Sequence, residues 1–174
     1  MSQAKDKQFY LELLRGYLDS ANDAIFVLCD EMKFLVCNRL MQEWLGETEE
    51  NLTHHDHRVP ITHFFRHPES EILFNTHFQD TLNNRPARFE CQIHPPKALL
   101  RWAEFNLNKV DVEGEQMIVG VARDVTEKRQ EQALALKLAR AIEQTADVVT
   151  VTDRHGVIEY VNSAYERMTG YGRQ

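Results

Sequence analysis

Long apolar runs, an excess of positive charge and paired cysteines are all missing from this sequence. The longest apolar run, Ala24 to Cys29, falls far short of the roughly 20 residues that a helix needs to span a bilayer. The N-terminus also has no apolar core of the kind a signal peptide requires. The expectation is a soluble, cytoplasmic chain with no membrane segment. The 20 Lys and Arg are outnumbered by 27 Asp and Glu. Binding a phosphate backbone draws on clustered positive charge and counterion release, so no nucleic-acid partner is expected. Cysteine occurs three times, as Cys29, Cys37 and Cys91, an odd set with no C-x-x-C pair, which fits free buried thiols in a reducing compartment. A Gly-rich phosphate loop, a nucleophile elbow and a kinase signature are absent too. No enzymatic activity is expected and no catalytic residue is assigned.

What is present is a chain of 174 residues with 43% apolar content, enough for one sizeable core and part of another. Phe9, Tyr10, Leu13, Leu14, Tyr17 and Leu18 share one face at helical spacing, which predicts an amphipathic N-terminal helix. Ala24 to Cys29 and Phe34 to Cys37, separated by Asp30-Glu31-Met32-Lys33, predict a hairpin. Asn38 is placed to cap a helix over 39–45 that Gly46 stops. Glu47 to Pro60 reads as irregular, Ile61 to Arg66 as a single turn. Pro68 suits the first turn of a helix running to about Asn83, with Ile72, Leu73, Phe78 and Leu82 as its apolar stripe. Three strands follow, Ala87 to His94, Leu99 to Val110 and Gln116 to Val125, with turns at Pro95-Pro96 and Glu113-Gly114. Short connections make neighbouring strands antiparallel. The sum is an α+β fold, a five-stranded antiparallel sheet with its helices inserted after the second strand.

From Thr126 the pattern is helical again, with Leu134, Leu138, Ala141 and Ile142 in one stripe. Beyond it the sequence repeats: Asp23 and Asp147, Asn38 and Asn162, and Gly46 and Gly170 are each 124 residues apart. Val148 to Thr152, the turn Asp153 to Gly156, and Val157 to Val161 follow the grammar of the first hairpin. Lacking its later strands, such a copy is expected to be poorly ordered beyond about 147 or to borrow partners.

The segment Gly120-Val121-Ala122-Arg123-Asp124-Val125-Thr126-Glu127-Lys128-Arg129 resembles the closing motif of PAS domains, where an Asp-Ile/Val-Thr triplet ends the last strand. The opening hairpin with Asn38-Arg39, its echo at Tyr160-Val161-Asn162-Ser163-Ala164-Tyr165, and Trp102-Ala103-Glu104 are similar to the same family. The resemblance implies an N-terminal amphipathic helix over 1–17, a PAS sensory domain over 18–126, a connecting helix over 127–144, and the truncated start of a second PAS domain over 145–174. It implies a five-stranded PAS-type sheet with helices on one face and a C-terminal signalling helix. Such a module senses a ligand, cofactor or partner and passes a conformational change outward, commonly as the input part of a sensor histidine kinase or a cyclic-di-GMP enzyme. Trp102, Glu104, Asp124 and Thr126 are its implied relay residues, and either Asp124 or Thr126 can cap the outgoing helix.

Alternation along the strands turns Phe89, Cys91, Ile93, Ala103, Phe105 and Leu107 inward. Similarity to the family adds Ile118, Gly120 and Ala122, where the two small residues leave space. A small-molecule pocket is therefore expected among Ile72, Phe78, Phe89, Cys91, Phe105, Gly120 and Ala122, with a filled apolar core as the alternative. The opposite face, with Val119, Val121 and Trp102, is too apolar to leave in water. The N-terminal helix is expected to cover it, within one subunit or across a homodimer.

The run His54-His55-Asp56-His57, with His63 and His67, invites a metal, and the spacing of His63 and His67 would align them on a helix. The Glu of a His-Glu-x-x-His motif is missing, and the run reads as a solvated loop. His77 lies where haem-binding members of the family carry a histidine, without matching neighbours. The Asn-Cys-Arg-Phe motif of the flavin-adduct photoreceptors is absent. Haem and non-covalent flavin stay open as cofactors, and a ligand-free homodimerisation and relay module is the competing reading.

Overall fold

Strand alternation and turn chemistry account for most of the architecture. The computed structural model describes residues 2–54, 58–95 and 99–171, and the chain divides into two units, Met1–Thr126 and Glu127–Gln174. The first unit starts with α1 (Ser2–Asp19) and the hairpin β1 (Ala24–Leu28) and β2 (Phe34–Cys37). Short helices α2 (Arg39–Leu45) and α3 (Glu49–Thr53), a 3-10 turn (Ile61–Phe64) and α4 (Pro68–Leu82) follow. The unit closes with β3 (Ala87–Ile93), β4 (Arg101–Val112) and β5 (Glu115–Asp124). The five strands form one antiparallel sheet in the order β2-β1-β5-β4-β3, the α+β arrangement expected. The last strand thus lies at the centre, which explains why its sequence is apolar on both faces. Glu113 and Gly114, with φ of 56° and 86°, turn β4 into β5; positive φ at both central residues matches the twist of a hairpin.

Inward residues alternate as expected: Phe89, Cys91 and Ile93 on β3, Ala103, Phe105 and Leu107 on β4, and Ile118 and Ala122 on β5 are all buried. Phe26 on β1 pairs directly with Gly120 on β5. A Cβ added to Gly120 would lie 2.2 Å from the Phe26 ring, so the absence of a side chain there is what lets the ring lie across the strand.

Asn38, 2% exposed, ties three elements together. Its Oδ1 accepts from the N–H groups of Ile25 (2.9 Å) and Met41 (3.1 Å). Its Nδ2 donates to the carbonyls of Leu18 (2.9 Å) and Asp23 (3.0 Å). The end of α1, the start of β1 and the first turn of α2 therefore meet on one side chain, and Gly46 (φ 69°) ends α2 in the left-handed conformation.

The second unit contains most of α5 (Thr126–Gln144), then the β6 (Thr150–Thr152) and β7 (Ile158–Val161) hairpin and α6 (Ser163–Thr169). Asn162 repeats the network: Oδ1 accepts from Val149 (3.0 Å) and Tyr165 (3.2 Å), and Nδ2 donates to Ile142 (3.0 Å) and Asp147 (2.8 Å). Every partner is the residue 124 positions beyond its counterpart. The stretch beyond 147, expected to be poorly ordered or to borrow partners, forms a hairpin and helix tied together by this one buried amide.

Three expectations are corrected. Glu47 to Pro60 contains a helix, α3, because Thr48 accepts from the Asn51 N–H and Leu52 is wholly buried. The buried face of α4 is Ser70, Phe74, Phe78 and Thr81, whereas Ile72 and Leu73 are 64% and 37% exposed. The large Phe74 ring meets Phe65, Phe78, Phe89 and Phe105 and so decides which face turns inward. His63 and His67 do not share a helix face: His63 is in the 3-10 turn and His67 precedes α4. Of the two covers expected for the outer sheet face, within one subunit or across a homodimer, Leu13, Leu14 and Tyr17 on α1, 58%, 59% and 74% exposed, do not supply the first.

Removing a buried amide that satisfies four backbone groups leaves those groups stranded, so Asn38→Ala is expected to destabilise the first unit by about 2–4 kcal/mol, measured by urea unfolding. Gly120→Ala is expected to cost about 1–3 kcal/mol through overpacking against Phe26, and Phe26→Leu in the same chain should recover part of that loss.

Candidate functional site

A polar cluster lies where β5 gives way to α5. Val125, 6% exposed, donates its N–H to the carbonyl of Trp102 at 2.8 Å. The Thr126 hydroxyl oxygen accepts from the Trp102 N–H at 2.9 Å. The joint therefore extends the β4–β5 ladder by side chain as well as backbone, up to the first residue of α5. Asp124 serves both sides: Oδ1 accepts from the Thr126 N–H at 2.9 Å and Oδ2 from Arg101 Nη1 at 2.5 Å. Of the two caps expected, the Asp124 carboxylate holds the first helical N–H, while the Thr126 hydroxyl bonds back to the sheet.

Burial works to raise the pKa of Asp124, but the hydroxyl and N–H of Thr126 together with the Arg101 guanidinium outweigh it and hold the carboxyl below its ordinary value. Arg101 also lies over the Trp44 ring on α2, with Cζ 5.4 Å from the centroid. A second ion pair closes one end of the β1–β5 pairing, next to Ala24 and Ala122: Arg123 donates to both oxygens of Asp23, at 2.9 and 2.7 Å. These hydrogen bonds lower the Asp23 pKa despite partial burial. Glu104, expected as a relay residue, accepts from Arg88 on β3 at 2.9 Å and does not touch Asp124 or Thr126 through any hydrogen bond among the described residues. Trp102 enters the joint through its backbone.

Of the residues expected to line a pocket, Phe78, Phe89, Cys91, Phe105 and Ala122 are buried in one core, together with the inward-facing backbone of Gly120. Ile72 is not among them, since it points away with the exposed face of α4. The space expected before Gly120 is taken by Phe26, whose ring stands edge-on to Phe34 and Phe105 at 6.0 and 6.2 Å. Phe74 bridges Phe89 and Phe105 at 5.8 and 5.3 Å. These separations are those of packed aromatic pairs. Desolvation pushes the Cys37 thiol up to about 11 and that of Cys91 to about 12, so both remain protonated at neutral pH, whereas Cys29 is half-buried. Cys29 borders an open cleft of about 880 Å³ with Lys33, Arg58 and Gln116, which shares no residue with the aromatic core.

His77 lies flat on Phe89, ring centroids 4.3 Å apart and planes 18° from parallel. His63 stands edge-on to Phe64. His54 and His67 are exposed, and residues 55–57 of the histidine run lie outside the described residues. Among the described residues, no group of three or more His, Cys, Asp or Glu is placed to hold a metal ion.

The triplet Asp124-Val125-Thr126 was singled out from the sequence and meets in this cluster; Arg101 and Trp44 were not. Arg101 and Trp44 are 57 positions apart in sequence, and no spacing rule connects them.

Two family models, each described as the PAS fold, match residues 18–130 and 136–174. Among solved structures, the chain is similar to the PAS domain of an HTR-like protein from Haloarcula marismortui, with 18% identity, 71% of this chain and 98% of that one covered, and a TM-score of 0.58. A domain of a sensory box sensor histidine kinase/response regulator from Geobacter sulfurreducens matches with 19% identity, coverage of 67% and 96%, and a TM-score of 0.53. The PAS domain of a Colwellia psychrerythraea protein matches with 18% identity, coverage of 68% and 98%, and a TM-score of 0.56. No relative matches among curated proteins. The match over 18–130 takes in both the Asn38 network and the Asp124 joint, and the chain belongs to the PAS family.

Proposed function

We propose that the chain is a signal-relay PAS module, the input part of a sensor protein such as a histidine kinase, which passes a shift in its central strand to α5 through Asp124, Val125 and Thr126. One observation carries this reading: the first residue of α5 is bonded to both β4 and Asp124, so movement of the ladder must remake the helix start. The packed rings around Gly120 favour relay over a small-molecule pocket, because a ligand in the core would have to displace Phe26. The sensor-kinase reading is supported by a neighbour whose own name describes such a protein.

Relay in this reading takes place in a homodimer. Leu134, Leu138 and Ile142 on α5 are 57%, 56% and 39% exposed, and α5 buries none of its residues. Exposed leucines at helical spacing suit a helix pairing across two subunits. Light scattering after gel filtration is expected to give twice the chain mass, and a strict monomer at high concentration would contradict the dimer.

Asp124→Ala is expected to uncouple output of the full-length protein while the domain stays folded, since a partly exposed ion pair contributes only about 0–1 kcal/mol. Unchanged output would sink the relay reading. Because the folded pKa of Asp124 is lowered, its stabilising contribution is present above the unfolded value of about 4 and is lost as pH falls through the lower folded value. The stability difference between the wild type and Asp124→Asn should accordingly shrink in acid, a result readable from denaturant midpoints over pH 3–7.

A further inference from the structure

The Arg101 side chain has one unusual feature: its Nε is buried with no hydrogen-bond partner among the described residues. Its guanidinium is held at one end by the bond from Nη1 to Asp124 and lies over the Trp44 ring, with Cζ 5.4 Å from the centroid. Trp44 is 4% exposed and sits near the end of α2, a helix held at its start by the Asn38 side chain and at its end by Gly46. A guanidinium presents a flat face suited to an indole, and the attraction strengthens when both are withdrawn from water. We propose that Trp44 is a positioning residue for the joint: its ring holds the Arg101 guanidinium against Asp124 and so ties α2 to the start of α5. A chain of contacts then runs from the Asn38 network through α2 and the side chains of Arg101 and Asp124 to the start of α5, without using the backbone hydrogen bonds of the β-ladder. Displacement of α2 would release Arg101 and weaken the hold on the Thr126 N–H without any strand having to slide.

The proposal rests on the relay reading, which makes the joint the transmitting element. Its test reads local hydrogen bonds alone, so it can fail while that reading stands. Amide hydrogen exchange by NMR at Thr126 and Trp102 is compared with exchange at Ala122 in the central strand, in the wild type, Trp44→Phe, Trp44→Leu, Asp124→Asn, and Trp44→Leu combined with Asp124→Asn. Trp44→Leu is expected to speed exchange of the Thr126 amide roughly three- to thirty-fold relative to Ala122, and Trp44→Phe to stay near wild type. In the Asp124→Asn chain, Trp44→Leu should add little, because the contact it supports is already gone. An equal factor in both backgrounds would show that Trp44 only packs, and would overturn the proposal. If Trp44→Leu does not fold, Arg101→Lys replaces it, since Lys keeps a charge for Asp124 but has no flat face for the ring. Faster Thr126 exchange in Arg101→Lys is then expected, and unchanged exchange would overturn the proposal.

Discussion

A buried asparagine side chain can hold three elements at once only if every one of its polar atoms is matched, and in this protein that condition is met twice. Asn38 accepts two backbone N–H groups and donates to two carbonyls. An unmatched amide at 2% exposure would be heavily penalised. The fit therefore selects one position of the end of α1 against β1 and α2, and excludes neighbours that would leave an atom unpaired. Asn162 imposes the same choice on the end of α5, β6 and α6.

The consequence is that α5 has a defined partner at each end. Its first residue is bound by Asp124 and by the Trp102 backbone. Its last turn is bound by Asn162 through Ile142, and by Ser163 and Tyr160 through Glu143. Between these points none of the helix's residues is buried.

Much of this was legible in the sequence, for reasons that differ by element. The strands were readable because β3 and β4 each have one face in the core, and alternation reports that directly. The repeat was readable because each copy centres on an asparagine that accepts twice and donates twice, and the two lie 124 residues apart. The face of α4 was misread because Ile72 and Phe74 are both apolar, and only the positions of Phe65, Phe89 and Phe105 decide which one is buried. The space before Gly120 was misread for a related reason: a missing side chain marks either a cavity or a ring lying across it, and Phe26 is supplied by a strand nearly a hundred residues earlier. At the joint, Asp124 and Thr126 carried a local signature, whereas Arg101 and Trp44 meet only through tertiary packing.

The central claim is that the junction of β5 and α5 is a local unit that can be remade without unfolding the sheet. Native-state hydrogen exchange in Asp124→Asn tests it most directly. The account predicts that the Thr126 and Trp102 amides exchange faster while the amides around Ala122 keep their wild-type protection. Equal acceleration at Ala122 would contradict it, for Asp124 would then be supporting the fold as a whole and not a joint within it.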